Sequence, residues 1–342
     1  MELSNNGTAQ SVTAENAVAS IILSLACLVG VPGNALVIWI ILFSMKRQRS
    51  PTVMLILNLA IADLFVLITL PLWIYAFVHG WAFGEAFCKI LTYLVHCNVY
   101  VSVFLITVMS VERFMAVVYP FATQRWRRNE VIVKVVLGVW VLAFLFSVPA
   151  LIYQVMGIDA EGRQQCMCQK FDSDEQEILC TVMQVVVAFV IPFSTLSTCY
   201  LCIGRKIKRM TFKTQNRTGT VIGSVVIVFL ICWVPHHIVN LVSIAALMTK
   251  SSNRTMSERL NEVYDIGVLV TGALAFLNSC INPVLYAFAA RNIRREFRLS
   301  ALARLFDQLT HSVKEESRKE STDTTRKDIS VTMEEMHSVQ HI

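Results

Sequence analysis

The chain has 342 residues, of which 55% are hydrophobic and only 16% charged, with a mean hydropathy of +0.57. That balance lies beyond a water-soluble globular domain and puts the chain in a membrane. The net charge of +6 gathers at the ends of apolar blocks, which suits anionic lipid headgroups and argues against nucleic-acid binding.

In chain order, residues 1–16 form a polar tail that contains Glu2 and Glu15 and no Lys or Arg. The apolar block after it is too long for the h-region of a cleaved signal peptide, and no basic n-region precedes it. Seven mostly apolar blocks then follow, at 17–42, 52–78, 86–118, 131–153, 178–206, 218–247 and 262–288. Each reaches the roughly 20 residues that a helix needs to cross the hydrocarbon core. Helices this long, joined by short loops, leave no polar faces for water, so a soluble helical bundle is set aside. The fold class read from this pattern is an all-α membrane protein, a seven-transmembrane helix bundle over 17–288.

Basic residues alternate along the chain. Lys46, Arg47 and Arg49 follow the first block, Arg125, Arg127 and Arg128 the third, Arg205, Lys206, Lys208 and Arg209 the fifth, and Arg291, Arg294, Arg295 and Arg298 the seventh. The intervening connections are acidic or mixed, with Glu85 in one and Asp159, Glu161, Asp172, Asp174, Glu175 and Glu177 in the next. The positive-inside rule therefore predicts an extracellular N-terminus and a cytoplasmic C-terminus. Of three glycosylation sequons, Asn6-Gly7-Thr8 lies in the outer tail and is the expected site. Asn253-Arg254-Thr255 sits close to a membrane exit and Asn216-Arg217-Thr218 on the inner side.

Most of the ten cysteines lie within the blocks as small packing residues. Cys88, Cys166 and Cys168 fall on the outer side, an oxidising compartment. A disulfide from Cys88 to either Cys166 or Cys168 would pin the second outer loop over the mouth of the bundle.

The blocks also hold polar residues that hydrocarbon penalises. Asn34, Asp63, Asn98, Ser102, Asn278 and Asn282 lie at or below mid-membrane depth by residue counting. Asn98 and Ser102 are one helical turn apart, as are Asn278 and Asn282. Facing Asp63, these oxygens would suit a small hard cation such as sodium. Hydrogen bonding between helices, as packing glue, is the alternative.

Gly33-Asn34, Leu59 to Asp63, Glu112-Arg113-Phe114, Trp140, Pro192 with Tyr200, Cys232 to Pro235, and Asn282 to Tyr286 occur one set per block. In that order the chain resembles the rhodopsin-like (class A) G-protein-coupled receptors, over about residues 17 to 306. The resemblance implies an activation switch of Glu112, Arg113, Tyr200, Trp233, Pro235, Asn282, Pro283 and Tyr286. Arg113 would be held by Glu112 at rest and released towards Tyr200 and Tyr286 when a G protein docks. Trp233 and Pro235 would be the hinge of the sixth helix, since proline removes a backbone hydrogen bond. It also implies that Asp63, Asn98, Ser102, Asn278 and Asn282 form an allosteric sodium site, the one metal expected, with no other cofactor. Two departures are visible: Phe114 replaces a common tyrosine, and Gln215 stands where some relatives carry an acid that latches Arg113. A resting ion pair between the third and sixth helices is therefore expected to be absent and basal activity raised.

Val95 stands where amine receptors carry aspartate, and the seventh block has no lysine for a retinal Schiff base. Longer runs, from Tyr100 to Thr107, Asn216 to Gly219, Trp233 to Leu241 and Ala273 to Leu277, look like the leukotriene B4 receptors of the chemoattractant branch. A lipid with a carboxylate, hydroxyls and a polyene tail needs an apolar cleft with a few donors. His96, Tyr100, Gln154, Gln184, His236, His237 and Asn240 are the candidate ligand-binding residues, a protonated histidine being one partner for a carboxylate. Gln154 and Gln184 depart from the arginine and the acid that this subfamily carries there. A peptide chemoattractant receptor is the runner-up, its basic ligand meeting the acidic second outer loop.

Residues 291–306, with Ile293, Phe297, Leu299, Leu302, Leu305 and Phe306 between arginines, read as a short amphipathic helix on the inner membrane face. No cysteine follows Cys280, so the palmitoyl anchor of many relatives is missing. Residues 307–342 are polar and predicted to be a disordered cytoplasmic tail. Its serines and threonines are expected substrates of receptor kinases, and their phosphates a patch for arrestin. The two halves show no self-similarity of the kind transporters carry. No metal-ligand spacing or Ser-His-Asp set indicates an enzyme. The expectation is a plasma-membrane receptor for a lipid mediator, acting through a heterotrimeric G protein of the inhibitory class in chemotactic and inflammatory signalling.

Overall fold

The computed structural model describes residues 14–44, 50–120, 129–158, 162–209 and 217–289. Within them seven helices are long and apolar enough to cross a membrane: Ala17–Phe43, Pro51–His79, Glu85–Val118, Glu130–Tyr153, Asp174–Lys206, Leu230–Thr249 and Arg254–Pro283. All seven apolar blocks become helices. Asn6, Asn216, Gln215 and the segments 291–306 and 307–342 lie outside the described residues.

Two helices begin earlier than hydropathy suggests. The fifth starts at Asp174 because the Ser173 side chain accepts from the backbone N–H of Gln176 at 3.2 Å, with Asp174, Glu175 and Glu177 in the first turn. Negative charge at a helix N-terminus offsets the dipole, so acids that read as loop belong to the helix. The seventh starts at Arg254, where Asn253 Oδ1 accepts from Met256 N at 3.0 Å and Arg254 pairs with Glu258 at 3.0 Å.

Prolines shape the spans. The second breaks between Leu67 and Leu70, just before Pro71, and the fourth at Ser147, just before Pro149. The fifth widens into a π turn at Val186–Val190 immediately before Pro192. In each case the ring removes a donor and displaces a carbonyl of the preceding turn. Pro32, Pro235 and Pro283 are carried inside continuous helices.

Among the described residues one element is not helical. Strands β1 (Gln154–Ile158) and β2 (Gln164–Gln169) form an antiparallel hairpin, irregular between Val155 and Gly157, after the fourth span. A disulfide joins Cys166 of β2 to Cys88 of the third span, with Cα atoms 5.6 Å apart. The backbone N–H of Trp81 donates to Gln164 O at 2.7 Å. These two ties hold the hairpin against the third span and the connection that precedes it, and of the two cysteines left open by the sequence, Cys166 makes the bridge. The ends of the bundle are called here the hairpin end and, opposite, the Arg113 end.

The third span is the axis. Its residues Val99, Val101, Val103, Leu105, Ile106 and Met109 are buried, and it packs on the second, fourth and fifth spans. The first span meets the second and seventh at Gly30, where an added Cβ would lie 2.6 Å from Leu67 Cδ1 and 2.8 Å from Cys280 Cβ. Only a residue without a side chain lets three helices approach so closely. Leu28, Phe43, Phe65, Leu145, Leu201 and Ile231 point outward and exposed, the surface that lipid covers.

Candidate functional site

Three polar groups are set into the apolar bundle, and the spans bring each together from distant parts of the chain. The first surrounds Asp63, which is fully buried on the second span. Asn98 Nδ2 of the third span donates to Asp63 Oδ1 at 3.2 Å, and Asn282 Nδ2 of the seventh donates to Asp63 Oδ2 at 2.9 Å. Ser279 Oγ donates to Asn98 Oδ1 at 3.3 Å, while Asn34 Nδ2 of the first span reaches Ser279 O at 3.0 Å and Gly30 O at 3.0 Å. Three helices thus meet on one carboxylate, and the first joins them through the backbone of Ser279. Ser102 lies beside it, and its buried hydroxyl makes no hydrogen bond among the described residues. Asn278 is buried with an unpartnered Oδ1 and does not reach Asp63. The serine next to it does that work.

The second group closes the Arg113 end. Arg113 Nη2 donates to Thr52 Oγ1 at 2.7 Å, and Thr52 Oγ1 donates to Glu112 Oε2 at 3.2 Å. Arg113 Nε also lies 3.4 Å from that oxygen. Thr52 is therefore an oxygen shared between the two charges, buried in the first turn of the second span. Tyr200 of the fifth span is half-buried against the core and within electrostatic reach of Arg113. Asn282 and Pro283 are buried on the seventh span. Tyr286 belongs to the same helix, and its side chain is outside the described residues.

The third group lies towards the hairpin end, between the fifth, sixth and seventh spans. Gln184 Nε2 is 3.3 Å from His236 Nε2, Asn240 Nδ2 is 3.5 Å from the same nitrogen, and His236 Nδ1 is 3.4 Å from Thr271 Oγ1. His96 of the third span holds Thr92 O with Nδ1 at 2.9 Å and is within electrostatic reach of His236. His237 faces the fifth span instead: its ring stacks on Phe189 at 4.8 Å, and both of its nitrogens are buried without a partner among the described residues. Trp233 lies beside both histidines, 5.8 Å from His236 and 6.3 Å from His237, two residues before the half-buried Pro235.

Two sequence candidates stand apart from that cluster. Tyr100 is packed with Phe104 at 5.9 Å and Phe146 at 5.7 Å, towards the fourth span. Gln154, the first residue of β1, is buried and donates through Nε2 to Cys166 O of β2 at 3.2 Å, so it braces the hairpin at the disulfide. At the rim, Lys250 Nζ binds both oxygens of Asp174 at 2.9 Å and joins the sixth span to the fifth.

Sequence reasoning missed Thr52, Ser279 and Thr271. Ser279 shares a face with Asn282 at i, i+3 spacing, a signal that was present. Thr52 stands where a helix begins and reads as an ordinary cap.

A buried acid shared by three spans, an arginine held at one end and a polar cluster enclosed at the other define the class: a seven-span membrane receptor. Residues 33–286 match the family described as 7 transmembrane receptor (rhodopsin family), and the chain belongs to it. Its members are G-protein-coupled receptors and not enzymes. Among curated relatives, leukotriene B4 receptor 1 of Homo sapiens is 35% identical over 292 residues, 84% of this chain and 81% of that protein. Type-1 angiotensin II receptor A of Xenopus laevis is 32% identical over 284 residues, 81% and 77% of the two chains. Chemerin-like receptor 2 of Homo sapiens is 32% identical over 292 residues, 83% and 79% of the two chains.

Proposed function

We propose that this receptor binds a hydroxylated, carboxylated polyene lipid of the leukotriene B4 kind at the hairpin end and activates an inhibitory-class G protein at the Arg113 end. The observation that carries the reading is the Gln184, His236, Asn240 and Thr271 cluster, a few hydrogen-bonding groups held among Phe189, Trp233 and other apolar walls. That is the environment a long apolar ligand with sparse polar groups requires. The 35% identity to human leukotriene B4 receptor 1 supports the ligand class. The hairpin end then faces the extracellular side of the plasma membrane with the N-terminus, and the C-terminal tail is cytoplasmic, open to receptor kinases and arrestin.

Signal transfer follows from the held arginine. Glu112 and Thr52 fix Arg113 in a resting position, and agonist binding next to Trp233 bends the sixth span at Pro235, which has no backbone N–H to give. The released arginine then serves the G protein. Sodium is part of the same reading. The Asp63 carboxylate, Asn98, Asn282 and Ser279, with the unspent oxygen of Ser102, are hard donors that suit a small cation, which would stabilise the resting bundle.

The test is displacement of labelled leukotriene B4 from membranes bearing the protein, run against a panel of chemoattractant peptides, with G-protein activation read alongside. Arg113→Ala should bind the lipid as the native chain does and fail to signal. Full signalling by that variant removes the switch assignment. A second reading, a peptide ligand, is favoured by the acidic first turn Asp174, Glu175 and Glu177 at the rim and by the similarity to angiotensin and chemerin-like receptors. Peptide binding without lipid displacement would establish it.

A further inference from the structure

The hydrogen bonds around His236 have a direction that can be worked out. Thr271 Oγ1 gives its proton to Gly267 O at 2.8 Å, so towards His236 Nδ1, 3.4 Å away, its oxygen only accepts. Nδ1 therefore carries the ring proton. The groups facing Nε2 are two side-chain amide nitrogens, Gln184 Nε2 at 3.3 Å and Asn240 Nδ2 at 3.5 Å, and both are donors. Nε2 is then the lone pair that accepts from them. A second ring proton would set N–H against N–H on two sides and break the arrangement, so the ring is held as neutral imidazole.

That direction decides what the cluster offers a ligand. Each amide has one N–H turned to the ring, which leaves its carbonyl oxygen and a second N–H. Among the described residues no hydrogen bond reaches Gln184 Oε1 or Asn240 Oδ1. The site is therefore neutral, with acceptors and donors side by side. A carboxylate there could accept from the two free N–H groups, but it would face two carbonyl oxygens and no cation within the cluster, in a medium where an unpaired charge costs several kcal/mol. An alcohol, which donates once and accepts besides, matches both functions. Of the basic side chains described near this end, Lys89 is 2.8 Å from Glu85, Lys250 2.9 Å from Asp174 and Arg254 3.0 Å from Glu258, while Arg163 is buried in the hairpin beside Gly80.

We propose that Gln184 and Asn240, oriented by His236, form a neutral subsite that reads a secondary hydroxyl of the ligand and does not take its carboxylate. His236 is the positioning residue: it fixes which way the amides face. This rests on the reading of the chain as a lipid receptor and names the chemical group that its inner polar cluster selects.

The test is competition against labelled leukotriene B4 on membranes bearing the native chain, Gln184→Met or Asn240→Leu. Four competitors are used: leukotriene B4, two analogues each lacking one of its hydroxyls, and the methyl ester. On the native chain one of the two deoxy analogues should bind roughly tenfold more weakly than the parent, the worth of one good hydrogen bond. On the variant lacking its partner amide that penalty should disappear, while the penalty of the methyl ester stays the same on all three chains. The two variants guard against one failing to fold. Deoxy analogues that bind the native chain as tightly as the parent overturn the proposal, as does an ester penalty that vanishes in either variant, which would put the carboxylate in the cluster. Absence of labelled leukotriene B4 binding to the native chain is a different outcome, which removes the lipid reading and the subsite with it.

Discussion

Replacing Thr52 by valine keeps the shape of the side chain and removes one oxygen, which makes it the cleanest perturbation of the resting state. That oxygen receives Arg113 Nη2 at 2.7 Å and gives its proton to Glu112 Oε2 at 3.2 Å. Hydrogen bonds to charged groups are worth about 1.5–3 kcal/mol. The direct approach of Arg113 Nε to Glu112, 3.4 Å, survives the change, so the low end applies and the resting state loses about 1.5 kcal/mol, roughly tenfold in the equilibrium. A receptor with about 1% of molecules active at rest would move to about 10%. Nucleotide exchange on the G protein without agonist should then rise between several-fold and tenfold, with the agonist-stimulated ceiling unchanged. Thr52→Ser, which keeps the hydroxyl, should behave as the native chain. Equal basal exchange in the valine and serine variants at matched surface density would refute the claim that Thr52 holds Arg113.

Three further outcomes are expected. Gly30→Ala forces a methyl against Leu67 and Cys280, 2.6 and 2.8 Å away, and should lower the melting temperature in detergent by an amount that reflects about 1–3 kcal/mol of overpacking. Gly138→Ala, with nothing within 4 Å, should leave it unchanged or higher, and equal losses would contradict the three-helix contact. Cys166→Ser should abolish high-affinity ligand binding at the hairpin end as Cys88→Ser does, because either opens the bridge, whereas Cys168→Ser should bind normally. Asp63→Asn removes the charge a cation needs: agonist affinity of the native chain should fall as sodium rises from 10 to 150 mM, on the order of a few-fold, and the variant should give a flat curve. A sodium response that persists in the variant places the ion elsewhere.

The spans were legible because hydrocarbon enforces one rule, that every backbone polar group be satisfied within the segment. Their ends were less so. Asp174, Glu175 and Glu177 look like a solvated loop until Ser173 is seen to cap a helix. The hairpin could not be read at all, since Gln154–Ile158 continues an apolar block and its partner strand is placed by contacts with Cys88 and Trp81, some 80 residues away. Within the site, Asp63, Asn98 and Asn282 stood out because such groups are rare in hydrocarbon. Thr52, Ser279 and Thr271 did not, for a physical reason. A hydroxyl on a membrane helix ordinarily bonds back to its own chain, as Thr107 does to Val103 O at 2.8 Å and Ser147 to Ala143 O at 2.7 Å. Ser279 instead spends its proton on another span, and Thr271, bonded back to Gly267, still offers its oxygen to His236. No pattern in the sequence separates these from the ordinary case.

The two long helices between the ends are held differently, and this bears on which one moves. The third span is fastened along its whole length: by the disulfide at Cys88, by Asn98 to Asp63 and Ser279 at mid-depth, and by Arg113 to Thr52 at the far end. The sixth makes described cross-span polar contacts from His236 to Lys250, on the hairpin side of Pro235, while the side chains of 217–226 lie outside the described residues. A helix with a missing backbone hydrogen bond bends there at least cost. A ligand bound at His236 and Asn240 therefore acts on the anchored half, beside Trp233, and the bend at Pro235 carries the displacement to the half that faces Arg113. For the proposed receptor the third span is the fixed reference and the sixth the moving part, because the sixth carries His236 and Asn240 of the ligand cluster within a turn or so of the proline at which it bends.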